Sequence, residues 1–563
     1  MKNLIRTLCC CVFVLIITSF YSNKTAAQTG WLWGHGQRTT SLTTFEWNAC
    51  ATDRQGNIFS SGWIVASSGA LVYFDTFAVP AWGGFAVTKQ SPAGNYLWAL
   101  AGDNGRVENV VADTAGNLFI YGYFVGTELI FGTDTLTESS VGFWNFLIKV
   151  SPAGTVIWKK TLLVNTAPSY YPAGLGIDAA QNIYLAGVFK SATATIGTAT
   201  LTNTNSAGTS VDVYVAKFDN NGNFKWARSF GGANNDWSNT LLVTDTGDVY
   251  LCGQYLSAML TAGSTSLTGP SNYIIKYDSS GSLIWAKNMT NYTIVNAMAI
   301  DMAHNVYVSG ELDAASRLGP DTLLYSGGST GAPGDAFVAK YMPDGTVSWA
   351  RSAGGSYTDM SWGITVDSCN NVWMCGTMGS VSGLPGYTMS FGTSVLTETS
   401  ITGDELFIAR YDTAGNYVSA IGCGVGGDDW VGMVTDNRGS LIVCGDLMGT
   451  GVFGHDTLSS GLEALFTAKY LFDSVGCGSV LSSAQPVHEG KNVIVYPNPA
   501  SNSVTISSVA TIQQVVVYNV YGTAVFAGDF SAAEVTINTT GLPPGTYIAK
   551  INSTFFCRFV KIQ

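Results

Sequence analysis

The sequence predicts an all-β chain: a seven-bladed β-propeller closed by its own N-terminal strand, followed by a small C-terminal β-sandwich. Three observations carry the prediction. A basic residue recurs nine positions before an aromatic one, always across a Gly-containing turn. A turn-opening residue recurs nine positions before a Gly. No segment sustains helical apolar periodicity.

The basic residues are Lys89, Lys149, Lys217, Lys276, Lys340 and Arg410, in segments such as AVTKQSPAGNYLW, FLIKVSPAGTVIW and YVAKFDNNGNFKW. Their partners are Trp98, Trp158, Trp226, Trp285 and Trp349, with Ser419 in the last copy. A seventh basic residue, Lys469 in FTAKYLFDS, has no partner after it. The missing residue stands at the other end of the chain, as Trp33 in GWLWGHG.

The second pattern, clearest in VVADTAGNLFIYG, places Asp53, Asp113, Asp178, Thr244, Asp301, Asp367 and Asp436 nine residues before Gly62, Gly122, Gly187, Gly253, Gly310, Gly376 and Gly445. Successive glycines are 60, 65, 66, 57, 66 and 69 residues apart, a repeat architecture. Each copy reads as two hairpins, because Asp bonds turn amides and Gly accepts positive φ. Four strands per copy are the blade of a propeller. The chain opens on one Trp-bearing fourth strand and ends its repeats on a first, second and third. One blade must therefore combine strands from both ends, which pairs edges that would otherwise be exposed. Six or eight blades would leave a remainder.

Only 11% of residues are charged, against about 25% in an average soluble chain. Both faces of the strands are apolar, as sandwiched blades require. The connections from second to third strand are long and carry a further segment: FGTDTLT, IGTATLT, AGSTSLT, GPDTLLY, FGTSVLT or GHDTLSS. This makes the repeat longer than the about 40–45 residues of a WD-type blade. These segments read equally as a binding surface and as a structural rim.

The first 27 residues are a separate object. Lys2 and Arg6 precede the apolar run CCCVFVLIITSFY, and Thr25-Ala26-Ala27 follow: a secretory signal cleaved between Ala27 and Gln28. The alternative, an uncleaved anchor, is disfavoured by the shortness of the run. Its loss removes three positive charges and no negative ones, so the mature charge is −12 − (+3) = −15. That acidity argues against nucleic acid and anionic membranes as partners. Eight Cys remain: Cys50, Cys252, Cys369, Cys375, Cys423, Cys444, Cys477 and Cys557. Disulfides are allowed in such a compartment, but the spacing shows no framework. Cys252, Cys375 and Cys444 read as buried small hydrophobes unlinked to one another.

The D-x-x-G-N-x-Y-x-x-G and V-A-K-Y…G…W-A patterns over roughly residues 30–475 resemble the bacterial SBBP-type β-propeller repeat. The resemblance implies a propeller and an exported location, and no reaction. The blades are also somewhat similar to those of pyrroloquinoline-quinone dehydrogenases, without a match to that family's cofactor site.

Residues 471–492 read as a linker. Residues 493–563 carry strand signals at VIVYP, SVTIS, QQVVVYNV, TAVFAG, EVTIN, TYIAKI and RFVKI, a β-sandwich. Tyr496-Pro497-Asn498-Pro499-Ala500, Val516-Val517-Tyr518-Asn519, Gly522, Leu542, Gly545-Thr546-Tyr547 and Phe559-Val560-Lys561 resemble the C-terminal sorting domain of the Bacteroidetes type IX secretion system. The resemblance implies the type IX machinery as partner, export across the outer membrane, removal of the domain, and surface attachment or release. It marks Tyr496, Pro497, Asn498, Pro499, Gly545, Tyr547 and Lys561 as sorting-motif positions. Cys557 departs from that family's pattern. The expected organisation is a signal peptide at 1–27, the propeller at 28–470, the linker, and the sorting domain at 493–563.

Chemistry-bearing constellations are scarce. The four His, His35, His304, His455 and His488, form no metal pair. Gly327-Gly328-Ser329-Thr330-Gly331 matches G-x-S-x-G without the following helix a nucleophile elbow needs. The turn Asp219-Asn220-Asn221-Gly222-Asn223 lacks calcium-loop spacing. The repeated basic residues read as packed stems with heads at the surface, and the Trp as inter-blade packing, with sugar stacking as the alternative. No catalytic, cofactor or metal residue is assigned. Three functions stay open: a non-enzymatic secreted or cell-surface scaffold binding a glycan or protein through its long-loop face; a polysaccharide-acting enzyme with carboxylates over the channel; or a structural surface-layer component. Asp134-Thr135-Leu136, Asp321-Thr322-Leu323 and Asp456-Thr457-Leu458 resemble the Bacteroidetes O-glycosylation acceptor.

Overall fold

The computed structural model describes residues 30–36, 38–39, 43–66, 71–80, 83–165, 173–326, 334–379, 386–397, 404–426, 431–436, 438–454, 456–472, 493–496, 501–519, 524–543, 545–552 and 555–561. The regular elements among them are all strands. The chain divides into two units, Met1–Cys477 and Gly478–Gln563.

The first unit repeats one pattern, a four-stranded antiparallel meander. The first meander is Thr43–Thr52, Ile58–Ala66, Gly84–Gln90 and Tyr96–Gly102. The second is Gly105–Ala112, Leu118–Phe131, Asp134–Val150 and Val156–Asn165. The third is Gly174–Ile177, Ile183–Phe189, Asp212–Phe218 and Phe224–Phe230, and the fourth Asp236–Val243, Val249–Tyr255, Ser271–Tyr277 and Leu283–Asn288. The fifth is Thr293–Ile300, Val306–Leu312, Asp335–Tyr341 and Val347–Gly355, and the sixth Asp359–Val366, Val372–Met378, Glu405–Tyr411 and Tyr417–Gly426. The seventh takes Val431–Thr435, Ser440–Phe453 and Asp456–Leu471, and its fourth strand is Gly30–Gly36 from the other end of the chain.

The basic-to-aromatic spacing is a cross-strand register. Lys89 stands opposite Trp98, Lys149 opposite Trp158, Lys217 opposite Trp226, Lys276 opposite Trp285, Lys340 opposite Trp349 and Arg410 opposite Ser419. Lys469 stands opposite Trp33. The nine-residue interval includes a tight turn whose Gly adopts positive φ, as at Gly94 (88°) and Gly281 (77°). A register shift follows each basic residue there, the bulge that lets such a turn match the twist of its strands.

First strands pack on first strands around the unit: first on second, second on third, and so on through the seventh, which packs back on the first. A separate apolar cluster fills each junction between consecutive meanders. At the junction of seventh and first, Ile442, Cys444 and Leu465 pack with Ile58, Phe74, Ala86 and Tyr96. Strands such as Gly84–Gln90 and Ile183–Phe189 are buried at every position, so their apolar residues run without alternation.

The extra segment of each long connection is a small hairpin, for example Thr193–Ile196 with Ala199–Thr202. In the second and seventh meanders it continues the second and third strands themselves. These hairpins pack on the outer strand of their own meander. Several also pair with the outer strand of the preceding one, Phe131 with Gly102, Ser390 with Gly354 and Met448 with Gly426, and Thr261 bridges to Gly231 just beyond such a strand.

The second unit shows five strands where seven segments are expected: Val493–Tyr496, Ser503–Asn519, Ala524–Asn538, Gly545–Ile551 and Phe555–Lys561. SVTIS and QQVVVYNV run as one strand through register irregularities between Ser507 and Gln514, and TAVFAG continues into EVTIN alongside. Apolar residues on both sides of that break, Ile506, Val515 and Val517, share one core, so the chain bends there without stopping. The linker expected at 471–492 lies, beyond Phe472, outside the described residues.

Candidate functional site

The meanders have two ends. One carries the tight turns within each hairpin, and there the repeated residues build a single unit. Asp113 Oδ1 accepts from the amides of Ala115 and Asn117 (3.0 and 2.9 Å), and Oδ2 from Asn117 Nδ2 (2.8 Å). The same turn recurs at Asp53, Asp178, Asp301 and Asp367. The basic residue reaches that Asp. Lys149 lies 3.4 Å from Asp113, Lys469 2.8 Å from Asp436, and Lys89, Lys217 and Lys340 each 3.8 Å from Asp53, Asp178 and Asp301. Where Thr244 opens the turn, Lys276 pairs instead with Asp248 at 2.9 Å.

The Lys heads are therefore not at the surface; Lys89 is 3% exposed. An aromatic ring lies beneath Lys89, Lys149, Lys217, Lys276 and Lys340, as Phe119 does under Lys149 at 4.9 Å, whereas Ile442 stands opposite Lys469. Burial depresses the Lys89 and Lys217 ammonium groups, partly offset by Asp53 and Asp178.

Each Trp lies against the next meander. Trp98 Nε1 donates to Pro152 O (3.1 Å), Trp226 to Ser279 O (3.1 Å) and Trp349 to Thr413 O (3.1 Å). The turn Gly beneath the ring has no room for a side chain: a Cβ at Gly281 would meet Trp226 at 2.8 Å. Trp33 covers Gly94 of the first meander in the same way, and Lys469 donates to Pro92 O (3.4 Å). This end is committed to its own hydrogen bonds.

The other end carries the long connections and holds carboxylates at a matched spacing. Asp212 and Asp236, Asp335 and Asp359, and Glu405 and Asp429 share a 24-residue separation, each crossing a Gly-Gly pair. Asp429 lies outside the described residues. Asp212, Asp236, Asp335, Asp359 and Glu405 are all buried. Asp212 and Asp335 open third strands and occupy the space where a Cβ of Gly231 or Gly354 would be. Asp236 and Asp359 open the next first strands and fasten the crossover, accepting from the amides of Gly232 and Gly355 (2.6 Å each). Asp212 accepts from Thr204 N (2.7 Å) and Asp335 from Ser326 N (2.5 Å). Asp212 Oδ1, Asp236 Oδ1 and Asp335 Oδ1 receive no hydrogen bond.

Burial pushes Asp236 up to about 7 and Asp335 up to about 6. Asp359 lies well above the usual carboxylate range, from burial and then the charge of Asp335. Asp212, Asp236, Asp335 and Asp359 hold loops, and burial favours their protonated forms. The sequence signal that would have found them is the 24-residue interval spanning Gly231-Gly232 and Gly354-Gly355.

Partly exposed apolar groups share this end. Tyr357 and Tyr387 meet edge to face at 4.4 Å, and Leu256, Met259, Tyr292 and Leu324 are exposed. The three Asp-Thr-Leu segments lie in the extra hairpins. Asp321 accepts from Ala350 N (2.9 Å) and pairs with Arg351 (3.0 Å); Asp456 accepts from Gly34 N (3.1 Å); Asp134 pairs with Lys159. The Asp ties each hairpin to its outer strand, Leu136 and Leu323 point inward, and Thr135, Thr322 and Thr457 point out.

Of the expected sorting positions, Gly545 opens its strand opposite Lys561, and Tyr547 is buried with its hydroxyl donating to Pro543 O (2.7 Å). Lys561 is also buried, and Tyr496 ends its strand. Pro497, Asn498 and Pro499 lie outside the described residues, as do Ala27, Gln28, His455, His488 and the segment 327–333. His304 pairs with Asp245 (3.0 Å). Among the described residues no three His, Cys, Asp or Glu side chains are grouped to hold a metal ion. No helix among them is long and apolar enough to cross a membrane.

Residues 494–556 match the secretion system C-terminal sorting domain family. That match directs the chain through the type IX secretion system, to the cell surface or beyond it. An uncharacterized WD repeat-containing protein of Acanthamoeba polyphaga mimivirus is 25% identical over 365 residues, 52% of this chain. The chain spans 26% of that relative's length. Among solved structures, the Dos1 propeller aligns over 78% of this chain and 95% of its own, at 8% identity and TM-score 0.36. A luciferin-regenerating enzyme aligns over 78% and 98%, at 10% identity and TM-score 0.31. A gluconolactonase from Xanthomonas campestris aligns over 58% and 82%, at 13% identity and TM-score 0.28.

Proposed function

We propose that the exported chain presents a closed seven-bladed β-propeller, of the SBBP-repeat type and spanning residues 28–470, as a non-enzymatic binding scaffold. The partner, a glycan or a surface protein, is taken through the long-connection face. The observation that carries this reading is how the repeated polar groups are used. Each Asp bonds its own turn, each Trp bonds a turn of the next meander, and the paired acids bond loop amides. Reaction chemistry needs groups with spare capacity facing solvent, whereas the solvent-facing side chains of the long-connection end include Tyr292, Leu256 and Leu324. Exposed apolar groups on a rigid ring suit recognition.

The ring reading is supported by first strands in contact all the way round and by the pairing of Gly30–Gly36 with Asp456–Leu471. The sandwich reading of residues 493–563 is supported by two long strands that bend through register irregularities around one core.

The test is to apply the mature exported protein to a glycan array and to purified outer-surface proteins, and to incubate it with the glycans it retains. Retention without release of reducing ends is the expected outcome. Release of reducing ends, lost on Asp236→Asn or Asp359→Asn, would replace this reading with the polysaccharide-acting enzyme.

A further inference from the structure

Cys50 and Cys444 come from opposite ends of the first unit, and both are free thiols. They meet where Thr43–Thr52 of the first meander packs on Ser440–Phe453 of the seventh. Each thiol bears on the other's titration, Cys444 raising Cys50 and Cys50 lowering Cys444. The strand neighbours repeat the contact in both directions. Ser60, opposite Cys50, places its Oγ 3.5 Å from Cys444 Sγ. Gly432, opposite Cys444, is so close to Cys50 that a Cβ there would stand 3.3 Å from its Sγ. Glycine at 432 leaves open the space through which the two sulfurs approach.

We propose that Cys50 and Cys444 are a covalent cross-link site: outside the cell the pair is oxidised to a disulfide that fastens the seventh meander to the first. The exported location supplies the setting in which disulfides persist, and Cys369 is already disulfide-bonded. The oxidant is another disulfide, small-molecule or protein. Cys50, partly exposed, loses its proton and attacks one donor sulfur, releasing one thiol. Cys444 then loses its proton and attacks Cys50 Sγ, expelling the second thiol. Two electrons pass to the donor, which leaves as two thiols.

The surroundings favour Cys444 as the resolving thiol. Burial alone would raise it, yet hydrogen bonds with Cys50, Ser60 and Thr467 bring it below the usual thiol range. Cys50 sits well above that range, first through its bond to Cys444 and then through burial.

The full exported protein, denatured, alkylated with N-ethylmaleimide without reduction and digested, should yield a Cys50–Cys444 linked peptide. Dithiothreitol should abolish it, and re-exposure of the folded protein to glutathione disulfide should restore it, with maleimide labelling at Cys50 falling at least tenfold. If Cys50 and Cys444 peptides are both singly alkylated, before and after glutathione disulfide, the proposal fails. Cys50→Ser and Cys444→Ser should each remove part of the Tm loss that reductant causes in the wild type, while the Cys369 linkage stays intact. If neither variant folds, the wild-type peptide measurement decides alone.

Discussion

The side chains that most resemble catalytic groups are buried, bonded to loop amides, and titrate above the usual carboxylate range. Asp236 and Asp335 titrate higher folded than unfolded, so their stabilising contribution is complete below about pH 4 and lost as pH rises through about 7 for Asp236 and about 6 for Asp335. Stability of the first unit should therefore decline between these limits, each group adding a slope of at most about 1.4 kcal/mol per pH unit. Asp236→Asn should flatten that decline in denaturant midpoints measured from pH 4 to 8. An unchanged profile would mean that Asp236 ionises freely in the fold. At the other end, Gly281→Ala should cost more than about 1 kcal/mol, since Gly281 holds φ of 77° directly beneath Trp226.

Among the elements, the tight turn between third and fourth strands explains both irregularities of the repeat. Trp349 covers Gly415 of the next turn and donates to Thr413 O. The seventh meander has no such turn, because its third strand, Asp456–Leu471, and its fourth, Gly30–Gly36, are not joined there. An aromatic at position 419 would have nothing to cover, and Ser419 stands exposed. Trp349→Ser should thus cost about 3 kcal/mol in chemical unfolding, while Ser419→Trp should change stability by less than about 1 kcal/mol. Equal effects would refute the turn-covering role. The extra hairpins lie at the junctions and bridge neighbouring outer strands, which favours the rim over a free binding surface for the segments themselves.

For the whole molecule, closure depends on seven residues from the N-terminal end, Gly30–Gly36. Deleting residues 28–36 uncovers the Asp456–Leu471 strand as a free edge. The shortened protein should associate on size-exclusion chromatography and melt at lower temperature; a monomer of unchanged Tm would show that the clasp is dispensable. Deleting residues 493–563 should leave the remaining chain folded but retained inside the outer membrane, as cell fractionation would report, because the sorting family matches only within that segment.

The repeat was legible because each of its residues acts within one hairpin or on the next turn, at a fixed interval in the chain. The pairing of Lys469 with Trp33 could be read from the ends because one incomplete copy implies its complement. The burial of the Lys heads was not legible: whether an ammonium meets water or an Asp depends on the turn folding back beneath it. The paired acids were missed because their 24-residue interval crosses a junction of variable loops. The contact of Cys50 with Cys444 arises only when the two ends of the unit meet. Within the repeats, sequence alone determined the strands, their register and the need for a clasp, because these follow from short-range turn chemistry and from turns at a fixed interval. Tertiary structure decided which polar groups are buried and paired and which thiols become neighbours, because those properties depend on neighbours that no interval along the chain specifies.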